Sequence, residues 1–77
     1  MGRMAVSVRN RLREIRLEKG LTQESLATMV GVTRQTVIAV EKRKFVPSVK
    51  LALELASALG TPLAEIFWLD PVEGARR

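Results

Sequence analysis

Arg34, Gln35, Thr36 and Ile38 form the cluster whose types and spacing could do the most chemistry. A guanidinium presents its N–H donors as a rigid fork, and a glutamine amide presents donors beside an acceptor. In the major groove of a duplex these groups match base edges: arginine suits guanine O6 and N7, and glutamine suits adenine N6 and N7. Taken singly, each of these residues reads as ordinary solvent-exposed surface. What sets the group apart is its place at the start of a helix, on the side opposite Val37 and Val40, which turn inward at a spacing of i, i+3.

Other reactive chemistry is missing. The 77 residues contain no cysteine and no histidine, which removes disulfides, thiolate zinc sites, thiol nucleophiles, imidazole ligands and the usual general base together. No phosphate-binding loop and no carboxylate pair in an evident cleft is visible. An enzyme is therefore the weakest functional class, and neither a metal nor a cofactor is expected. Charge points elsewhere. The 13 Lys and Arg outnumber the 8 Asp and Glu for a net +5. The excess is concentrated, since residues 1–50 hold 11 basic and 4 acidic side chains while residues 51–77 hold 2 basic and 4 acidic. Lys42, Arg43 and Lys44 add the densest run of it. The N-terminal part thus suits a polyanion, with these three residues as candidate phosphate contacts. On charge alone, a solvated basic surface would serve as well.

These residues need elements to hold them. A chain of this length allows one domain, and its apolar residues recur at helical spacing. A first helix is expected from about Val8 to Lys19, on Val8, Leu12 and Ile15, stopped by Gly20. Thr22 caps a second, Gln23 to Val30, with Glu24 in its first turn. Gly31 ends it, at a place suited to a positive φ that glycine tolerates. Val32 bridges to Thr33, which caps a third helix from Arg34 to about Lys42. After a short loop from Lys44 to Pro47, Ser48 caps a fourth, Val49 to Leu59, closed by Gly60. Thr61 as N-cap, with Pro62 at the first helical position, opens a short fifth through about Phe67. The expected fold class is all-α, a compact five-helix bundle forming a single domain over residues 1–77. It is ordered from about residue 8 to 69, with a flexible tail over 70–77. The second and third helices, meeting at a short glycine-containing turn, have helix-turn-helix geometry. Ala27 faces the third helix, where a larger side chain would push the two apart.

Arg16 follows Leu12 by four and shares the apolar face of the first helix. A buried guanidinium needs a partner. Glu41, four after Val37 and next to Val40, lies on the inward side of the third helix and can supply one; the alternative is that Arg16 reaches out to solvent.

With these residues in place, the chain from about Asn10 to Trp68 resembles the phage repressor/Cro-type helix-turn-helix regulators. The likeness is to the short stand-alone members of bacteria and archaea. It is carried by Arg-Glu-Ile-Arg-Leu-Glu-Lys-Gly-Leu-Thr-Gln at 13–23, Leu-Ala at 26–27, Gly-Val-Thr-Arg-Gln-Thr-Val at 31–37, Pro-Ser at 47–48, Ala-Leu-Gly at 58–60 and Glu-Ile-Phe-Trp at 65–68. The resemblance implies a bundle of the repressor DNA-binding type, binding to double-stranded DNA and repression of nearby genes. It implies that Gln23 touches a phosphate and braces the recognition helix. Thr33, Arg34, Gln35 and Thr36 match positions that contact bases or adjacent phosphates, and Arg16 and Glu41 match a buried ion pair. Two departures stand out. Where the family usually has Glu-Asn-Gly-Lys, this chain has Glu41-Lys42-Arg43-Lys44. An arginine in place of a left-handed glycine costs on the order of 1 kcal/mol, so either the loop takes another path or charge beside phosphates offsets the cost. Ala39 fills a position where a base-reading polar residue can stand, which leaves only apolar contact there.

The C-terminal half is apolar beyond what one stripe requires. The fourth helix carries Val49, Leu51, Leu53, Leu55 and Leu59, and Phe67, Trp68 and Leu69 follow soon after. A small domain can scarcely bury all of these, and large exposed apolar patches tend to be interfaces. A homodimer built on Leu51, Leu53, Phe67, Trp68 and Leu69 is expected, which would let two recognition helices read two half-sites. The competing reading is a helical protein-interaction module, such as an antitoxin or adaptor. No stretch approaches the ~20 apolar residues of a membrane span, and residues 1–8 lack a signal-peptide core. No membrane partner is expected, no small-effector pocket is evident, and the cytoplasm is the default location.

Overall fold

The computed structural model describes residues 6–71. They run in the order β1 (Val6–Asn10), α1 (Leu12–Glu18), α2 (Gln23–Val30), α3 (Arg34–Glu41), α4 (Val49–Leu59), α5 (Leu63–Ile66) and β2 (Phe67–Pro71). All five expected helices are present. The first and last elements correct the all-α expectation, because β1 and β2 pair into a two-stranded antiparallel sheet. Its register sets Ser7 opposite Asp70, Val8 opposite Leu69, Arg9 opposite Trp68 and Asn10 opposite Phe67.

Val8 fits a helical stripe with Leu12 and Ile15, yet the structure starts α1 only at Leu12. Val-Ser-Val-Arg also alternates with the period of a strand. That reading prevails because the far end of the chain supplies a partner. Arg9 Nη1 meets Asp70 Oδ2 across the sheet at 2.6 Å, an exposed pair worth about 0–1 kcal/mol. Asp70 and Pro71 thus belong to β2 rather than to the tail expected from residue 70. The rest of that expected tail, 72–77, lies outside the described residues.

Thr22, Thr33 and Ser48 cap their helices as expected, accepting from the N–H groups of Ser25, Thr36 and Leu51. Thr61 does not cap. Pro62 has φ −57° and ψ 141°, so it is still extended and itself takes the capping position. The Thr61 hydroxyl instead donates back to Leu59 O at 3.1 Å.

One core joins the helices: Leu12 and Ile15 of α1, Leu26 and Ala27 of α2, Val37 and Val40 of α3, Leu51, Leu55 and Leu59 of α4, and Ile66 of α5. Leu51, Leu55 and Leu59 recur every four residues, the spacing of a single buried helix face. Leu51 is 9% exposed. It therefore packs the core and is withdrawn from the dimer surface on which it was expected. Each such side chain, fully buried, contributes roughly 1.5–3 kcal/mol.

Candidate nucleic-acid interface

The angle between α2 and α3 is fixed at their junction. α2 opens with a capping box in which Thr22 and Ser25 exchange side-chain and backbone hydrogen bonds. It closes at Gly31, with φ 74° and ψ 30°, a left-handed conformation costly for any residue with a Cβ. Val32 N–H then donates to Ala27 O at 3.0 Å, folding the turn back on α2. Ala27 is 2% exposed at the crossing, so its methyl group leaves no room for a larger side chain there without displacing a neighbour.

Val37 and Val40 hold the inner face of α3 in the core. The outer face carries Arg34 and Gln35, both exposed, while Thr36, Ile38 and Ala39 are half-buried. Thr33 and Thr36 are partly engaged with each other: Thr36 N–H donates to Thr33 Oγ1 at 3.3 Å, and the two hydroxyls lie 3.1 Å apart. Arg34 and Gln35 are thus the freer polar groups at the helix start.

The Arg16 side chain is 7% exposed and that of Glu41 4%. Arg16 Nε donates to Glu41 Oε2 at 2.6 Å and Nη2 donates to Glu41 Oε1 at 3.3 Å. Nη1 donates to Leu21 O at 2.8 Å, so the guanidinium is bonded along its length. Gln23 Nε2 adds a further donor to Glu41 Oε1 at 3.2 Å. The brace between the first residue of α2 and the last of α3 is therefore a hydrogen bond to the same carboxylate that pairs with α1.

Lys42, Arg43 and Lys44 are exposed just beyond α3. Arg43 takes the left-handed conformation despite its side chain, with φ 61°. Its N–H donates to Val40 O at 3.0 Å and that of Lys44 to Ala39 O at 2.9 Å, which satisfies two terminal carbonyls of α3. The loop keeps the path a glycine would take, so the substitution carries strain rather than a detour.

Two features escaped the sequence reading. Arg13 lines the same groove as Gln23 and Arg34, although it lies on α1; only the packing of α1 beside the start of α2 reveals this. Val46, 60% exposed, joins Val49, Pro47, Leu63, Phe67 and Trp68 around an apolar groove of 430 Å³. The apolar run Phe45-Val46-Pro47 in a loop was the available signal. Leu53, Trp68 and Leu69 are exposed, and Phe67 packs partly on the core. Among the described residues no group of His, Cys, Asp and Glu could hold a metal ion, and no helix is long and apolar enough to cross a membrane.

Comparison with known proteins bears on this arrangement. The family profile described as helix-turn-helix matches residues 12–66. An HTH-type transcriptional regulator of Methanothermobacter thermautotrophicus is 53% identical over 70 residues, covering 90% of this chain and all of that protein. The cryptic phage CTXphi transcriptional repressor RstR of Vibrio cholerae is 35% identical over 57 residues, covering 74% of this chain and 51% of its own length. Among solved structures, the restriction-modification controller protein C.AhdI from Aeromonas hydrophila superposes with a TM-score of 0.68 at 44% identity, covering 71% of this chain and 83% of that one.

Proposed function

The chain belongs to the helix-turn-helix family and is a DNA-binding transcriptional regulator, and from that premise we propose that it represses transcription by reading a near-palindromic operator as a homodimer. The observation that carries the reading is the outer face of α3. Arg34 and Gln35 stand free at its start, and the cations of Lys42, Arg43 and Lys44 stand at its end. In the proposed complex Arg34 and Gln35 reach base edges, with Thr33, Thr36 and Ile38 beside them, and Gln23 and the Lys42–Lys44 run hold phosphates. Arg16 and Glu41 carry no contact of their own; they fix α3 against α1.

The whole chain acts as one DNA-binding unit in the cytoplasm. The dimer forms through Leu53, Phe67, Trp68 and Leu69; the exposure of Val46 and Val49 beside them supports including both, and the burial of Leu51 supports leaving it out. Selection of bound sites from random duplex DNA tests this. A two-fold symmetric sequence with half-site centres about 10 base pairs apart is expected. Enrichment of no sequence would overturn the base-reading assignment, and enrichment of an asymmetric single site would overturn the dimer. A reporter carrying the selected site across its promoter should fall silent when the protein is expressed; activation would reverse the sign of regulation.

A further inference from the structure

At Asn10 the strands β1 and β2 meet the recognition helix. Its backbone closes the sheet opposite Phe67, and the next N–H, of Arg11, donates to Ile66 O at 3.0 Å. The side chain then makes two bonds at once. Oδ1 accepts from Leu12 N–H at 3.0 Å, the local turn that carries β1 into α1. Nδ2 donates to Val40 O at 3.0 Å, across 30 positions of sequence. Among the described residues this is the side-chain hydrogen bond that ties β1 to α3.

We infer that Asn10 is a positioning residue for DNA recognition: through Nδ2 it fixes the C-terminal end of α3, and the basic loop that follows, relative to the β1–β2 sheet. The inference rests on the reading of α3 as the recognition helix. At that end the Glu41 carboxylate is already held by Arg16 and Gln23, but those bonds tie α3 to α1 and to the start of α2, and none of them reaches the sheet. Val37 and Val40 anchor the inner face of this 8-residue helix in the core. Asn10 adds the fixed point on the sheet side, and base contacts depend on where the outer face of so short a helix is presented. Val40 O also accepts from Arg43 N–H, so removing the Asn10 amide leaves no orphaned carbonyl. The loss should therefore fall on placement more than on stability, which makes the two separable.

Asn10→Ser and Asn10→Ala test this. A serine hydroxyl can still accept from Leu12 N–H but is too short to reach Val40 O as well. Affinity for the selected operator and for a scrambled duplex would be measured at one salt concentration, well below the melting temperature. Amide exchange at Arg43 and Lys44 would be followed in parallel. Both variants should lose about fivefold on the operator, the net worth of one hydrogen bond, with less than about twofold change on scrambled DNA. Exchange at Arg43 and Lys44 should quicken in both, while Asn10→Ser keeps the melting temperature more nearly than Asn10→Ala. An unchanged ratio of operator to scrambled affinity in Asn10→Ser would overturn the inference and leave Asn10 as a turn residue only. If the unmodified protein prefers no sequence, the reading of α3 fails first, and the positioning role falls with it even where exchange still quickens.

Discussion

Replacing Arg43 by glycine and, separately, by alanine distinguishes backbone strain from charge at the end of α3. Both variants remove the same cation. They differ only in what the left-handed backbone at φ 61° costs. An L-residue pays about 1–2 kcal/mol there, and glycine pays nothing sterically but gives up more freedom on folding, by about 0.4–1 kcal/mol. The glycine variant should therefore be more stable than the alanine variant by about 1 kcal/mol, or about 4–8 °C in melting temperature for a domain of this size. Against the parent the glycine gain is smaller, because loss of a cation near a helix C-terminus costs about 0.3–1 kcal/mol. DNA binding should respond to charge alone. With one phosphate contact gone, the slope of log affinity against log salt should fall by about 0.9 in both variants, so that the loss of affinity from 50 to 200 mM salt shrinks by about three- to fourfold. Differential scanning calorimetry and salt-titrated fluorescence anisotropy read the two effects independently. Glycine and alanine variants melting together would refute the strain argument, and an unchanged slope would remove Arg43 from the phosphate contacts.

Glu41→Ala leaves Arg16 buried without its carboxylate and should cost about 3–5 kcal/mol in urea unfolding, whereas the double change Arg16→Met with Glu41→Leu should recover most of that loss. A small effect of Glu41→Ala alone would mean the pair is not buried in solution. Arg34→Ala should cost about 1–3 kcal/mol on the best site and relax preference at one position per half-site; equal loss on scrambled DNA would make Arg34 a phosphate contact instead. Leu53→Glu combined with Trp68→Ala should sediment as a monomer and bind the operator far more weakly. An unmodified protein that sediments as a monomer at high micromolar concentration would remove the dimer altogether.

Much of the helical frame was legible because its signals are local. A hydroxyl residue before a helix meets an N–H three residues on, so Thr22, Thr33 and Ser48 could be placed by offset alone. Gly31 and the small Ala27 announced the turn for the same reason. Pro62 misled because its fixed φ fits both the first helical position and the residue before it, and only ψ separates the two. Among the candidate interface residues, Arg34 and Gln35 were legible as the face opposite Val37 and Val40. Arg13 was not, since its nearness to Gln23 and Arg34 depends on how α1 packs.

The sequence by itself determined the five helices, the helix-turn-helix at their centre, the need for a partner at Arg16 and the basic character of the first fifty residues. Each follows from spacing within a few turns or from charge, quantities that survive without a fold. Tertiary structure alone decided three others. Val6–Asn10 became a strand rather than the first turn of α1 because Phe67–Pro71 lay alongside it. Leu51 turned inward while Leu53, two residues on, stayed 51% exposed, because α4 offers the core one face and its stripe was wide enough in sequence to allow either. Asn10 came to hold Val40 O through contacts between segments 30 positions apart. Pairing and packing across such distances depend on which surfaces are left facing one another once the local elements have formed, and periodicity along the chain carries no record of that.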